Sequence, residues 1–240
     1  MAIQQFQAKV SEMTKIGTTY IQFHFELSEP KNIRFQPGQY LLLNVPGTAQ
    51  KKSYSITSSK DLDHAIEIVV NTAPQGEGTK YLQSLKPGDG VSFFAPAGVF
   101  SVAPQSSQVG QQEKALVFVA TGSGIAPVKS MIIQQLRFEN DARPIVLHWG
   151  LRYEEDLFWL DKFQDLAQAY PNFQLHLVLS KATPAWKLCR GRVTDCLQVH
   201  PLVHSAGYYI CGHTTMVEDV KNLLMQKGVA QEHIHHEKFF

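Results

Sequence analysis

From Thr18 to Leu27 the chain alternates, with Ile21, Phe23, Phe25 and Leu27 on one side and Gln22, His24 and Glu26 on the other. A period of two is the signature of a strand with one buried face. Further β-rich runs, QYLLLNV, KSYSI, AIEIVV and VSFFAP, follow at short intervals, set apart by Pro37-Gly38, Pro46-Gly47 and Pro87-Gly88-Asp89-Gly90. Short strands punctuated by turn formers predict a small antiparallel barrel. The pattern changes after SVAPQSSQVGQQEK, Ser101 to Lys114, which reads as a polar connecting stretch. Beyond it, ALVFVA, RPIVLHWG, FQLHLVLS and GYYICG read as buried strands that alternate with helical or mixed segments. MVEDVKNLLMQKG places Met216, Val217, Val220, Leu223 and Leu224 on one helical face and stops at Gly228, a C-terminal cap. Alternating strands and helices predict a parallel α/β sheet. The expectation is therefore two domains, an antiparallel β domain over residues 1–103 and an α/β domain over 114–240.

At 240 residues either domain has length for a hydrophobic core. The 22 basic and 21 acidic residues nearly cancel, so nothing argues for nucleic acid or an anionic membrane surface as partner, and any charged ligand must be held locally. No stretch approaches the roughly 20 apolar residues of a membrane span, and MAIQQFQAKV lacks a signal-peptide pattern, so a cytoplasmic protein is expected. Cys189, Cys196 and Cys211 are odd in number and form no C-x-x-C pair, which fits a reducing compartment and argues against zinc or iron–sulfur ligation by cysteine. Near the C-terminus, HIHHEKFF invites a metal reading. Strand alternation would put His233 and His235 on one face and Ile234 and His236 on the other, so convergence, and hence a metal, is not expected.

The candidate chemistry begins directly after ALVFVA, where TGSGIAPVKSMI runs Thr121-Gly122-Ser123-Gly124-Ile125-Ala126-Pro127 into a helix. Glycines there let the backbone approach a ligand, and free N–H groups at the helix start attract an anion such as a pyrophosphate. Pro127 suits a first helical turn, where its missing N–H costs nothing. A tight turn without a ligand is the alternative. The loop lacks the third glycine of the usual dinucleotide fingerprint, and the second strand ends in HWGLRYEED rather than on a single ribose-binding acid, so it is a different nucleotide loop. Arg152, Ser180 and Lys181 stand near strand ends with groups suited to phosphate, a ribose 2′-phosphate included; ordinary solvated charges are the alternative.

Taken in order, these stretches resemble the ferredoxin–NADP reductase superfamily, flavoenzymes with an antiparallel flavin-binding barrel followed by a nicotinamide-nucleotide domain. FQPGQYLLLNV is similar to the strand before the flavin motif, and KSYSITSS to the motif R-x-Y-S itself, with Lys52 where the motif has arginine. GEGTKYLQSLKPGDGVSFFAPAGVF resembles the second flavin motif, ATGSGIAPVKSMI the loop G-x-G-I-A-P, HWGLRYEEDLFW the second strand and its turn, YYICGHTTM the C-G-x-x-x-M motif, and EKFF the terminal acidic-aromatic element. The resemblance implies a six-stranded antiparallel flavin-binding barrel over residues 1–103 and a five-stranded parallel sheet flanked by helices over 114–240.

It also implies roles. Tyr54 would lie against the isoalloxazine, Ser55 would hydrogen-bond near flavin N5, and Lys52 would face phosphate as a point charge. Thr79, with Gly76 and Gly78, would open the helix GTKYLQSL toward flavin phosphate. Gly122, Gly124 and Pro127, flanked by Thr121 and Ile125, would carry the pyridine-nucleotide pyrophosphate, and Cys211 and Gly212, with Met216, would border the nicotinamide. Glu237 would connect the flavin to solvent protons, and Phe239, or Phe240, would cover the flavin until nicotinamide displaces it. Ser55, Cys211 and Glu237 are thus the expected catalytic residues. The implied reaction is hydride transfer from NADPH or NADH to FAD, FMN being possible, in a monomer. The electrons would pass to a separate acceptor, a ferredoxin, a flavodoxin or an oxygenase component. Alternatives are reduction of free flavin, or a non-catalytic subunit that senses flavin or nucleotide. A methyltransferase would use the glycine loop but leave Tyr54 and Ser55 without purpose.

Overall fold

The computed structural model describes residues 2–239. In chain order its elements are β1 (Gln4–Lys15), β2 (Tyr20–Glu29), β3 (Tyr40–Leu43), β4 (Lys52–Ser55), β5 (Ala65–Asn71), α1 (Glu77–Ser84), β6 (Gly90–Ala97), α2 (Gln108–Gln112), β7 (Ala115–Thr121), α3 (Ile125–Ile133), β8 (Ile145–Leu151), α4 (Leu160–Ala169), β9 (Phe173–Leu179), β10 (Cys189–Arg190), α5 (Val193–Val199), β11 (Ala206–His213), α6 (Thr214–Gln226) and β12 (Ile234–Phe239).

The first six strands form an antiparallel sheet in the order β4-β3-β6-β1-β2-β5. A bridge between Ile56 and Ile68 joins its two edges, so the sheet is a nearly closed barrel. Alternation fills it: Phe6, Phe23, Phe25 and Phe93 are fully buried and in mutual ring contact. β1 carries the same alternation, with Phe6, Ala8 and Val10 inward, and is the strand that the runs read from the sequence did not locate.

The second sheet is parallel, in the order β10-β9-β8-β7-β11-β12. It has six strands rather than the expected five, because Cys189 and Arg190 pair alongside Val178 and Leu179 as a two-residue edge too short to leave a periodic signal. One face, with Phe118, Trp149, Leu177 and Tyr209, is covered by α3 and α4; the other, with Val117, Val119, Val178 and Ile210, is covered by α5 and α6. α6 buries Val217, Val220 and Leu224 on one stripe, and Gly228 ends it at φ +85°, with Val229 N–H reaching back to the Leu224 carbonyl. The polar stretch 101–114 is a loop with one short helix, α2, capped by the Ser107 hydroxyl, which accepts from Gly110 N–H at 3.1 Å.

Polar contacts between the two sheets set their relative placement. Lys129 Nζ donates to the Thr57 carbonyl at 3.1 Å and Ser130 Oγ to that of Ser58 at 2.8 Å, both buried. Trp159 Nε1 donates to Gln22 Oε1, and Tyr209 Oη accepts from Ala103 N–H. Among the described residues no helix is long and apolar enough to cross a membrane.

Candidate active site

β7 delivers its carboxyl end at Thr121, and the chain turns through the tight helical turn Gly122–Gly124 into α3. Gly122 has φ +53°, where a side chain is strained. A Cβ on Gly124 would collide with the Cys211 carbonyl, and one on Gly212 with the Thr121 hydroxyl and the end of Met216. Backbone contact at these two glycines therefore locks the loop against the end of β11, which brings Thr121, Gly122, Gly124, Cys211, Gly212 and Met216 together. Ile125 and Pro127 occupy the first turn of α3, which no side chain caps; the Ile125 N–H turns back to the Gly122 carbonyl and Pro127 has none, so an anion here meets the positive end of the helix rather than a row of free donors.

The register of β12 on β11 sets Glu237 beside Cys211 and Phe239 beside His213. Burial pushes the Glu237 carboxyl up to about 7, partly opposed by the neighbouring Ser55 hydroxyl on β4. The barrel and the last strand of the second sheet thus meet at Ser55 and Glu237. Glu237 Oε2 is buried without a hydrogen-bond partner, an unmet demand that a ligand donor or water would fill. Cys211 is fully buried, and its thiol is raised well above its ordinary value by burial and then by Glu237, so it offers a small neutral surface.

Beside Ser55, the phenol of Tyr54 is pushed up to about 12 by burial, with the Thr79 hydroxyl opposing. It stays a neutral half-buried ring. α1 packs against it so closely that a Cβ on Gly78 would lie 2.5 Å from Tyr54 Oη and 2.9 Å from Lys52 Cγ. Gly76 precedes the helix in extended conformation without a side-chain cap, and Thr79 is buried in its first turn. Lys52, Tyr54, Gly76, Gly78 and Thr79 therefore form one cluster on the barrel's edge strand. Lys52 Nζ lies 3.6 Å from the Glu77 carboxylate, which shares its charge. A neutral ring, an uncapped helix start, a lysine and an unpaired carboxyl oxygen nearby are groups that fit a flavin and its phosphate.

Arg152, Ser180 and Lys181 come together at the ends of β8 and β9, where Ser180 N–H donates to the Leu151 carbonyl and Lys181 N–H to that of Arg152. All three side chains are exposed. Phe239 is half-buried against the core under β7 and β8, whereas Phe240 lies outside the described residues. The terminal histidines divide: His235 stacks on Tyr209 and reaches the buried Glu113 at 2.8 Å, while His236 faces the side of Lys221 and Lys238.

The sequence reading missed Tyr20, whose hydroxyl would lie 3.0 Å from a Cβ on Gly122, and Lys129. Burial lowers Lys129 to about 8 against the pull of Glu67, and its ammonium sits 4.5 Å above the Trp159 ring. A lysine beside a serine within the otherwise apolar α3 was the available signal. A cleft of about 780 Å³ lined by Pro37, Lys60, Val102, Gln134 and Arg143 holds none of the expected residues.

Comparisons with known proteins agree with this two-part fold. Residues 7–102 match the family model of the oxidoreductase FAD-binding domain, and residues 118–222 that of the oxidoreductase NAD-binding domain. The chain is 30% identical over 250 residues to a ferredoxin–NADP reductase B of Sorangium cellulosum, covering 98% of each. It is 30% identical to the reductase component of phenol 2-monooxygenase from a Pseudomonas strain, covering 99% of this chain and 66% of that one. The cytochrome P450 reductase GcoB of Amycolatopsis superposes with a TM-score of 0.88 at 28% identity, over 99% of this chain and 70% of the other. A Neisseria gonorrhoeae ferredoxin NADP+ reductase shares the fold end to end, with a TM-score of 0.81 at 20% identity and full coverage of both chains.

Proposed function

This chain belongs to the ferredoxin–NADP reductase family, and on that premise we propose that it takes a hydride from NADPH or NADH onto FAD held at the Tyr54 cluster and passes the electrons to a separate acceptor. The observation that carries this reading is the meeting of Ser55 and Glu237, one from each sheet, beside Cys211 and the glycine loop. The acceptor class is a ferredoxin, a flavodoxin or an oxygenase component, by analogy with relatives named as a ferredoxin reductase and as an oxygenase reductase component. The functional division falls at residues 1–103 and 114–240, and the protein acts in the cytoplasm.

When bound, the flavin supplies the redox chemistry, and no side chain is required as nucleophile. Tyr54 supports the ring by stacking, which commits no charge. Lys52 and the N–H groups at Gly76, Gly78 and Thr79 hold phosphate, while Thr121, Gly122, Gly124, Ile125 and Pro127 hold the pyrophosphate of the nucleotide. Arg152, Ser180 and Lys181 meet its ribose end. Cys211, Gly212 and Met216 leave room for the nicotinamide, and Phe239 closes the opposite side. Ser55 and Glu237 carry a proton between the site and solvent: a carboxyl titrating near 7 both accepts and releases it at neutral pH. Placement of two rings within reach of one another contributes most of the acceleration.

Lys52 favours a second reading, since a point charge shared with Glu77 grips phosphate less firmly than a bidentate arginine would, as suits FMN or a flavin that leaves as substrate. NAD(P)H oxidation assayed with a plant-type ferredoxin and with added FMN or FAD separates the two. The proposal expects turnover with the protein acceptor and no added flavin; strict dependence on added flavin contradicts it.

A further inference from the structure

Away from the glycine loop, on the face of the second sheet covered by α5, three imidazoles and two thiols converge. His148 on β8 stands in register with His176 on β9, Cys189 lies on the edge strand β10, and Cys196 and His200, four residues apart, share one side of α5 and its end. His148 and Cys196 are buried, and their neighbours are Val178, Val193 and Leu197. His148 Nδ1 is 3.4 Å from Cys196 Sγ, His200 Nδ1 is 3.6 Å from the same sulfur, and Cys189 Sγ is 2.7 Å from it. The ligand atoms of His148, Cys196 and His200 all lie within 4.8 Å of one another. His176 packs over the group, its ring centroid 3.9 Å from that of His200 and 4.7 Å from that of His148.

From this geometry we propose that His148, Cys189, Cys196 and His200 form a zinc site that fastens β10 and α5 to the sheet. Zinc takes four nitrogen and sulfur ligands in a tetrahedron, at about 2.3 Å to sulfur and about 2.0 Å to nitrogen, which sets nitrogen-to-sulfur separations of roughly 3.5 Å. The two observed separations, 3.4 and 3.6 Å, match that value. The Cys189 sulfur must withdraw by about 1 Å to reach the sulfur-to-sulfur spacing of such a tetrahedron, a movement open to a half-buried residue on a two-residue edge strand. His200 Nδ1 also lies 2.8 Å from the Cys196 carbonyl oxygen, and it exchanges that single hydrogen bond for the metal. Charge balances as well: Zn²⁺ displaces the two thiol protons to solvent, and one dication with two thiolates is neutral, as an apolar layer requires. Without an ion the same layer holds three imidazoles whose polar contacts include two to sulfur, a weak partner.

The test uses untagged full-length protein, titrated with Co²⁺ as a spectroscopic stand-in and then with Zn²⁺. The expected result is one equivalent bound, a thiolate-to-cobalt charge-transfer band that Zn²⁺ abolishes, and a rise in Tm with Zn²⁺. His200→Ala and Cys189→Ser, both at half-buried positions that the fold tolerates, should each weaken Co²⁺ binding by at least about tenfold, while His236→Ala in the terminal strand leaves it unchanged. Failure to bind Co²⁺, a Co²⁺ affinity left unchanged by Cys189→Ser, or a thiol count showing Cys189 and Cys196 already joined as a disulfide in protein kept under reducing buffer until assay would each overturn the proposal.

Discussion

Glu237 is the residue on which the proton economy of the site rests. Its carboxyl is raised from the ordinary carboxylate range to about 7, chiefly by burial, so the folded protein binds this proton more tightly than the unfolded chain does. Its contribution to stability is therefore complete below about pH 4.5 and is lost as pH rises toward 7. Glu237→Gln should remove that slope, leaving the variant more stable than wild type at pH 8 by on the order of 1 kcal/mol in thermal or urea unfolding. The same substitution should abolish a limb near pH 7 in the kcat profile and lower kcat by roughly 10–100-fold, the scale of a lost proton carrier. Ser55→Ala provides an independent check. The Ser55 hydroxyl pulls the Glu237 value down, so its loss should move that limb to higher pH with little change in KM for the nucleotide. The order of motifs made Ser55, Tyr54 and Glu237 legible as candidates. The displaced titration of Glu237 was not legible, because it arises from burial against a strand nearly two hundred residues away in the chain.

At the scale of elements, the loop between β7 and α3 owes its shape to contact with β11. A methyl at position 124 meets the Cys211 backbone, which cannot yield as a flexible side chain would. Gly124→Ala should thus raise KM for NADPH and NADH by more than about tenfold and cost about 1–3 kcal/mol of stability, the range for overpacking. On the other sheet, Lys52→Arg should tighten flavin binding by roughly tenfold, read as a lower Kd by fluorescence quenching, because a planar fork grips phosphate in two places. No change in Kd would show that position 52 does not face phosphate. Strands with strong alternation, such as β2, were plain in the sequence. β1 was harder because Ala8 is small and its outward residues are polar throughout, and β10 carries too few residues for any period. The zinc cluster escaped for another reason: its residues come from two strands and a helix far apart in the chain, and no C-x-x-C pair marks them.

For the whole molecule, what matters is that a barrel and a parallel sheet are held so that an edge strand of one faces the last strand of the other. Lys129, Ser130, Trp159 and Tyr209 supply that fixation through buried or half-buried hydrogen bonds, none of them predictable from local pattern. The two-part architecture was legible because hydrophobic period and turn chemistry change near residue 100. The acceptor was not, since it is met on a surface and leaves no internal pattern. The central claim, that flavin held on the barrel receives a hydride from nucleotide held on the sheet, is tested most directly by anaerobic titration of the purified protein with NADPH and, separately, NADH while the visible flavin band is followed. The account predicts a yellow protein whose band bleaches with one equivalent of nucleotide per flavin. A bound flavin that neither nucleotide reduces would contradict it.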